Sequence, residues 1–303
     1  MNEKVLTPIK IGCVEIKNRI ALPSMCVFFC DEDGNMTDKR IEYAAARARG
    51  GAGLLIIPGS PHGKRGMGRP ALSEDRDIEG WKKLAERIHG YGAKLFCQLH
   101  PAKLQAGRQG AIDEPSKYTK EHIEYITQSY ADCALRAKKA GCDGVDVHGG
   151  HAHEIAQFLS PYYNKRDDEY GVDYKGRARL ACDIIKRVKA LCGEDFPLSF
   201  CLNGSDMVDG GRTIDETVKT AKLLEEAGAD ALQISCGMPK SEEYIAAPMD
   251  IEDMFNADDA AKVKANVNIP VIAVNRIVDI SQAENILSLI HIYPEKLMRK
   301  RHF

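Results

Sequence analysis

Ala140-Gly141-Cys142-Asp143-Gly144-Val145-Asp146-Val147-His148 decides how this chain folds. A helical stretch ends on a glycine, small and polar residues turn the chain, and a β-branched run follows. Glycine closes a helix well because it takes the left-handed conformation without steric cost. A short apolar run bounded by turn residues reads as a buried strand. The same joint recurs at Arg49-Gly50-Gly51-Ala52-Gly53 before Leu54-Leu55-Ile56-Ile57, and at Ala227-Gly228-Ala229-Asp230-Ala231 before Leu232-Gln233-Ile234. The joints lie about 90 residues apart, room for roughly two strand–helix units each. Further strands are predicted over 19–23, 93–99, 197–202 and 269–274, making seven. Helices are predicted over 37–49, 78–91, 121–140, 177–191 and 214–227, where apolar residues recur three and four apart. Such alternation builds a parallel sheet. A closed α/β barrel and an open doubly wound sheet both fit. The open sheet is weakened because no G-x-G-x-x-G follows the first strand.

Length and composition narrow the class. The 303 residues suit one α/β barrel of about 250 residues or two ordinary domains. Hydrophobic content of 44% and charged content of 28% describe a folded globular chain rather than a disordered one. Lys and Arg number 42 against 44 Asp and Glu, so a net charge of -2 makes no case for nucleic acid or a membrane surface. No apolar run approaches the roughly 18 residues of a membrane span, and residues 1–10 lack a secretory core, so a cytoplasmic location is expected. The ten cysteines contain no CxxC and read as reduced thiols, with Cys26 and Cys30 only a weak metal signal.

The loops after strands are long and polar (59–77, 100–118, 148–174 and 236–255), and those after helices are short. In a barrel the loops after strands build the active face. There the sharpest cluster is His148-Gly149-Gly150-His151-Ala152-His153, three histidines in six residues at a strand end. Imidazole serves hydrogen bonding, proton transfer and metal ligation. No metal is expected, because further ligands do not present themselves at neighbouring strand ends. Two rival readings are a metal-dependent barrel hydrolase with His151 and His153 as an HxH pair, and an inactive, cofactor-free fragment.

His148-Gly149-Gly150-His151, then Gln157-Phe158-Leu159-Ser160-Pro161, then Asn164-Lys165-Arg166-Asp167-Asp168-Glu169-Tyr170-Gly171 resemble the Old Yellow Enzyme family. The similarity is to its bacterial NADH:flavin oxidoreductase and 2-enoate reductase (2,4-dienoyl-CoA reductase-like) branch. Thr7-Pro8-Ile9-Lys10-Ile11-Gly12, Lys17-Asn18-Arg19-Ile20, Pro23-Ser24-Met25-Cys26 and Gln98-Leu99 extend it, from about Leu6 to about Leu287. The resemblance implies a (β/α)8 TIM barrel with FMN at its C-terminal face and NADH or NADPH as reductant. It implies an ene-reductase passing a hydride through flavin N5 to the C=C of an α,β-unsaturated carbonyl compound. His148 and His151 would hold the carbonyl oxygen, and Gln98 the flavin's pyrimidine edge. Pro23, Ser24, Met25, Cys26 and Gly59 would line the ring. The expected partner is a small enone or enoate, not nucleic acid or membrane; the sequence does not decide homo-oligomer formation.

Three departures follow. The family places a Tyr two residues after the second His; here it is His153, the expected proton donor, with Tyr162 and Tyr163 weaker candidates. A cation beside the flavin's N1–C2 edge is replaced by Cys201, with Arg212 and Lys240 as substitutes from later loops. After Ile269-Pro270-Val271-Ile272-Ala273-Val274, Asn275 and Arg276 are taken as cofactor-binding, but the expected Gly-Arg phosphate pair is absent. The family pattern stops near residue 287, before an eighth strand and last helix. The expectation is therefore a barrel domain over 1–287, truncated at its C-terminus, and an atypical, non-native basic tail over 288–303. An iron–sulfur cluster and FAD are expected only if a C-terminal extension exists.

Overall fold

The computed structural model describes residues 4–63, 68–101 and 114–290. A hairpin comes first: β1 (Ile9–Ile11) pairs antiparallel with β2 (Val14–Ile16). The sequence reading did not predict it, because three-residue strands give no periodicity. Its signal is Gly12 at φ 55°, in a two-residue turn of the kind that favours glycine.

Seven parallel strands follow in chain order within one sheet. They are β3 (Ala21–Leu22), β4 (Leu54–Gly59), β5 (Lys94–Leu99), β6 (Gly144–Gly149), β7 (Leu198–Asn203), β8 (Ala231–Ser235) and β9 (Val271–Ala273). The connecting helices include α1 (Asp38–Arg49), α2 (Ile78–His89), α3 (Lys120–Lys139), α4 (Glu154–Leu159), α5 (Tyr174–Cys192), α6 (Ile214–Glu226), α7 (Ala257–Lys264) and α8 (Ile280–Ile290). Thr37, Thr119, Asp173 and Thr213 cap α1, α3, α5 and α6 by accepting a backbone N–H. All seven predicted strands are present, in a sequential parallel order that curls into a TIM-type barrel and rules out the doubly wound sheet. Helices α4 and α7 were not predicted. The first is six residues long, too short for a periodic pattern.

Strand side chains alternate between two cores. The outer core lies between sheet and helices and includes Ile57, Trp81, Leu95, Val145, Val147, Ile184 and Phe200. The inner core fills the barrel at the strand N-termini with Leu54, Ile56, Phe96 and Ala231, closed by Ile11 and Ile16 of the hairpin. Register then sets a polar level above this floor: Gln98 pairs with Asp146, Asp146 with Ser199, His148 with Cys201, and Cys201 with Gln233.

Among the described residues β3 and β9 are the sheet edges and do not pair with each other. A cavity of about 400 Å³ opens between them, lined by Ile20, Ala21, Val271, Ile272 and, from α8, Ala283 and Ile286. Helix α8 continues to Ile290. Of the tail over 288–303, the residues from 291 onward lie outside the described residues.

Candidate active site

The polar level begins with Asp146, fully buried inside the barrel on β6. It accepts from Gln98 Nε2 at 2.8 Å and from Ser199 Oγ at 2.6 Å. Burial raises its carboxyl from 3.8 to about 6, although the bonds from Ser199 and Gln98 pull the other way. On the neighbouring strands Gln233 Nε2 lies 3.2 Å from Cys201 Sγ, and burial holds that thiol well above its usual range. Gln233 Oε1 is buried with no hydrogen-bond partner.

The histidines stand one step further toward the strand C-termini. His148 points from β6, and His100 follows β5 directly. Their rings stack with centroids 4.9 Å apart. His153, at the N-terminus of α4, closes the group with Nε2 at 3.3 Å from His100 Nε2. His151 completes the quartet, its ring 5.2 Å from that of His148. Its Nε2 lies 2.8 Å from Ser235 Oγ at the end of β8, and its backbone N–H donates to Asn203 Oδ1 at 3.2 Å. His151 and Ala152 sit at φ 58° and 56°, a left-handed pair that non-glycine residues adopt only when their surroundings impose it.

Burial keeps these rings neutral. It lowers His100 and His151 to about 4, and holds His148 and His153 well below 6.5 with help from their neighbours' charges. Arg69 adds to the effect at His100 and His153. Neutral imidazoles present N–H donors and free lone pairs rather than stored protons. His148 Nδ1 and His153 Nδ1 are buried without hydrogen-bond partners.

A second tier fixes the cluster. Asn203 Nδ2 donates to Asp206 Oδ1 and to the Gly237 carbonyl. Ser160 Oγ and the Arg212 backbone N–H both donate to Asp206 Oδ2. Behind His153, Glu154 pairs with His62 at 3.0 Å, and His62 Nδ1 meets Ser129 Oγ at 2.8 Å.

The remaining residues singled out from sequence fall around this mouth. Pro23, Ser24, Met25 and Cys26 follow β3, and Met25 and Cys26 are exposed there. Gly59 ends β4 on the helix-facing side, where a Cβ would lie 2.6 Å from Cys97 Sγ and 2.8 Å from Trp81. Its absent side chain therefore answers to packing. Asn275 and Arg276 follow β9 at φ 83° and 50°, and the Arg276 guanidinium is bound by Asp253. Of the two substitute cations, Arg212 is buried and its charge reaches Cys201. Lys240 instead lies over the Tyr162 ring at 5.0 Å. Tyr162 and Tyr163 pack with Ala152 and Met238.

Two residues escaped the sequence reading. His100 brings a fourth imidazole, from a neighbouring strand end, which corrects the expectation that no such ligand was there. The group that converges is His100, His148 and His153, not an isolated His151/His153 pair. Gln233 was also passed over. Its signal is a lone amide within a strand buried at every position.

The chain matches the NADH:flavin oxidoreductase / NADH oxidase family over residues 4–290. It is 38% identical over 299 residues to the NADH oxidase of Thermoanaerobacter brockii, covering 92% of this chain and 46% of that protein. It is 32% identical over 303 residues to the NADPH dehydrogenase of Bacillus subtilis (strain 168), covering 95% and 88% respectively. Among solved structures, 2-naphthoyl-CoA reductase in complex with 2-naphthoyl-CoA superposes with a TM-score of 0.87 at 30% identity, over 97% of this chain and 50% of that one. The chain thus spans about half the length of several relatives it matches. Among the described residues no helix is long and apolar enough to cross a membrane.

Proposed function

The chain belongs to the NADH:flavin oxidoreductase / NADH oxidase family, and we propose that its 1–287 barrel is an FMN-dependent ene-reductase using NADH or NADPH. The observation that carries this reading is a neutral histidine cluster standing over a buried strip of amide and carboxyl groups at the strand C-termini. That strip fits a flavin. An isoalloxazine edge alternates N–H donors with carbonyl acceptors, and Gln98 and Gln233, their Nε2 groups turned to Asp146 and Cys201, offer amide oxygens to its N–H groups. Gln233 Oε1, buried and without a partner, is an acceptor that a ligand N–H would satisfy. Bound there, FMN supplies hydride chemistry, from the nicotinamide to the β-carbon of an α,β-unsaturated carbonyl compound.

This chain's residues do the rest. His148 and His151 donate N–H bonds to the substrate carbonyl oxygen and stabilise the negative charge that develops on it. Neutral rings suit this task, because they polarise the carbonyl without surrendering a proton at the wrong moment. Ser235 and Asn203 hold His151 in place. His153 is the proton donor for the α-carbon. Burial disfavours its charged form, so the proton it gives the α-carbon is drawn from solvent water during turnover and passes across the 3.3 Å contact with His100, leaving hydroxide in solvent and both rings neutral again. Similarity to 2-naphthoyl-CoA reductase supports an acyl thioester among the substrates.

The test separates the two half-reactions by stopped flow on the FMN-loaded protein. His148→Ala removes one carbonyl donor and is expected to slow substrate reduction by about 10²–10³-fold. Flavin reduction by NAD(P)H stays near the wild-type rate. Equal losses in both half-reactions overturn the anchoring role, and a flat flavin titration of the wild type overturns the reading itself.

A further inference from the structure

We infer that His100, His148 and His153 form a binding site for one divalent transition-metal ion, with zinc the fitting ion, and that its occupancy excludes the carbonyl substrate. One ring nitrogen from each residue lies within 4.8 Å of the other two. In tetrahedral zinc sites the imidazole nitrogens stand about 2.0–2.1 Å from the metal, which puts them about 3.3 Å from one another. The His100 and His153 Nε2 atoms are 3.3 Å apart. His148 brings a ring nitrogen within 4.8 Å of both, and its Nδ1 has no hydrogen bond to give up.

The ligands come from three fixed points of the fold: His100 directly after β5, His148 at the penultimate position of β6, and His153 at the N-terminus of α4. Such anchoring preserves a coordination geometry better than loops do. All three side chains are buried, so few waters compete for the metal. The set is purely imidazole, which selects zinc and its neighbours over the oxygen-seeking magnesium and calcium.

Three imidazoles leave a fourth tetrahedral position open. Because His148 belongs to both arrangements, zinc and substrate cannot be held together. This exclusion rests on the proposed function, whereas the metal site itself does not.

Equilibrium dialysis of the FMN-loaded protein against zinc chloride, read by elemental analysis, tests the site directly. One zinc per chain is expected. His100→Ala and His153→Ala should each weaken binding by at least about 10–100-fold, the loss that even outer partners of a metal ligand cause. Zinc should raise the melting temperature of the wild type but not of His100→Ala. The two variants alter different elements, so a folding failure in one leaves the other decisive. Absence of stoichiometric zinc, or wild-type zinc affinity in a folded His100→Ala protein, overturns the site. Zinc-saturated protein that still reduces substrate at the full rate overturns the exclusion. Zinc binding in a protein without reductase activity supports the site while removing the proposed function.

Discussion

Replacing Asp146 with Asn tests whether the barrel interior carries a carboxylate at a cost to its own stability. The carboxyl is fully buried, and its pKa rises from 3.8 to about 6. The folded protein therefore binds this proton more tightly than the unfolded chain does. Below 3.8 the group is protonated in both states and adds no penalty. As pH climbs toward 6 the unfolded chain releases its proton first, and stability falls. Above that the penalty is complete. A gap of about two pH units corresponds to about 3 kcal/mol. Asn resembles the protonated form in shape, accepts from Gln98 and donates to Ser199, whose hydroxyl rotates to accept. Asp146→Asn should thus melt above the wild type at pH 8, by about 5 °C for a chain of this size. The advantage should shrink through pH 6 and vanish near pH 4. His100 and His151, lowered to about 4, act in the same acid range with the opposite sign, since a lowered pKa makes folding less favourable as pH falls. Subtracting the wild-type curve from the variant's removes them. The assay is thermal melting of both proteins across pH 4–8 without flavin. A variant that melts at or below the wild type at pH 8, or an advantage independent of pH, refutes the reasoning.

Two further substitutions follow from the packing. Gly59→Ala places a Cβ 2.6 Å from Cys97 Sγ and 2.8 Å from the fully buried Trp81, so it should lose about 1–3 kcal/mol in a denaturant melt. Ser235→Ala removes the hydroxyl 2.8 Å from His151 Nε2. It should slow substrate reduction by about 3–10-fold while leaving flavin affinity unchanged, the scale of one neutral hydrogen bond.

The barrel was legible because its joints repeat. Gly51, Gly141 and Gly228 all take positive φ at helix ends, and each precedes a strand buried at every position. Glycine chemistry and apolar runs are local signals, so the strand order could be read from them. The site was legible only where it was local. His148, His151 and His153 share one segment, but His100 lies 48 residues earlier than His148 and becomes their neighbour through the pairing of β5 with β6. Gln98 and Asp146 likewise meet because parallel register sets them side by side. The hairpin over 9–16 was missed for a different reason. It is a floor for the barrel, and its three-residue strands acquire a role only when Ile11 and Ile16 meet Phe96 and Leu54.

A buried carboxylate that weakens the fold invites the question of what it does there. Its two bonds answer. Ionised, Asp146 can only accept, so Gln98 must turn its Nε2 toward it, as the 2.8 Å contact has it. That leaves the other end of the amide, Oε1, as the group Gln98 can offer a ligand. A protonated or amide partner at 146 would accept either orientation of Gln98. The charge therefore acts as an orienting device: stability is given up to fix which face of an amide, acceptor rather than donor, meets the ligand. On this account Asp146→Asn should gain melting temperature and lose flavin affinity together. The two effects arise from one change, since the proton-like group that relieves the interior also frees Gln98 to turn.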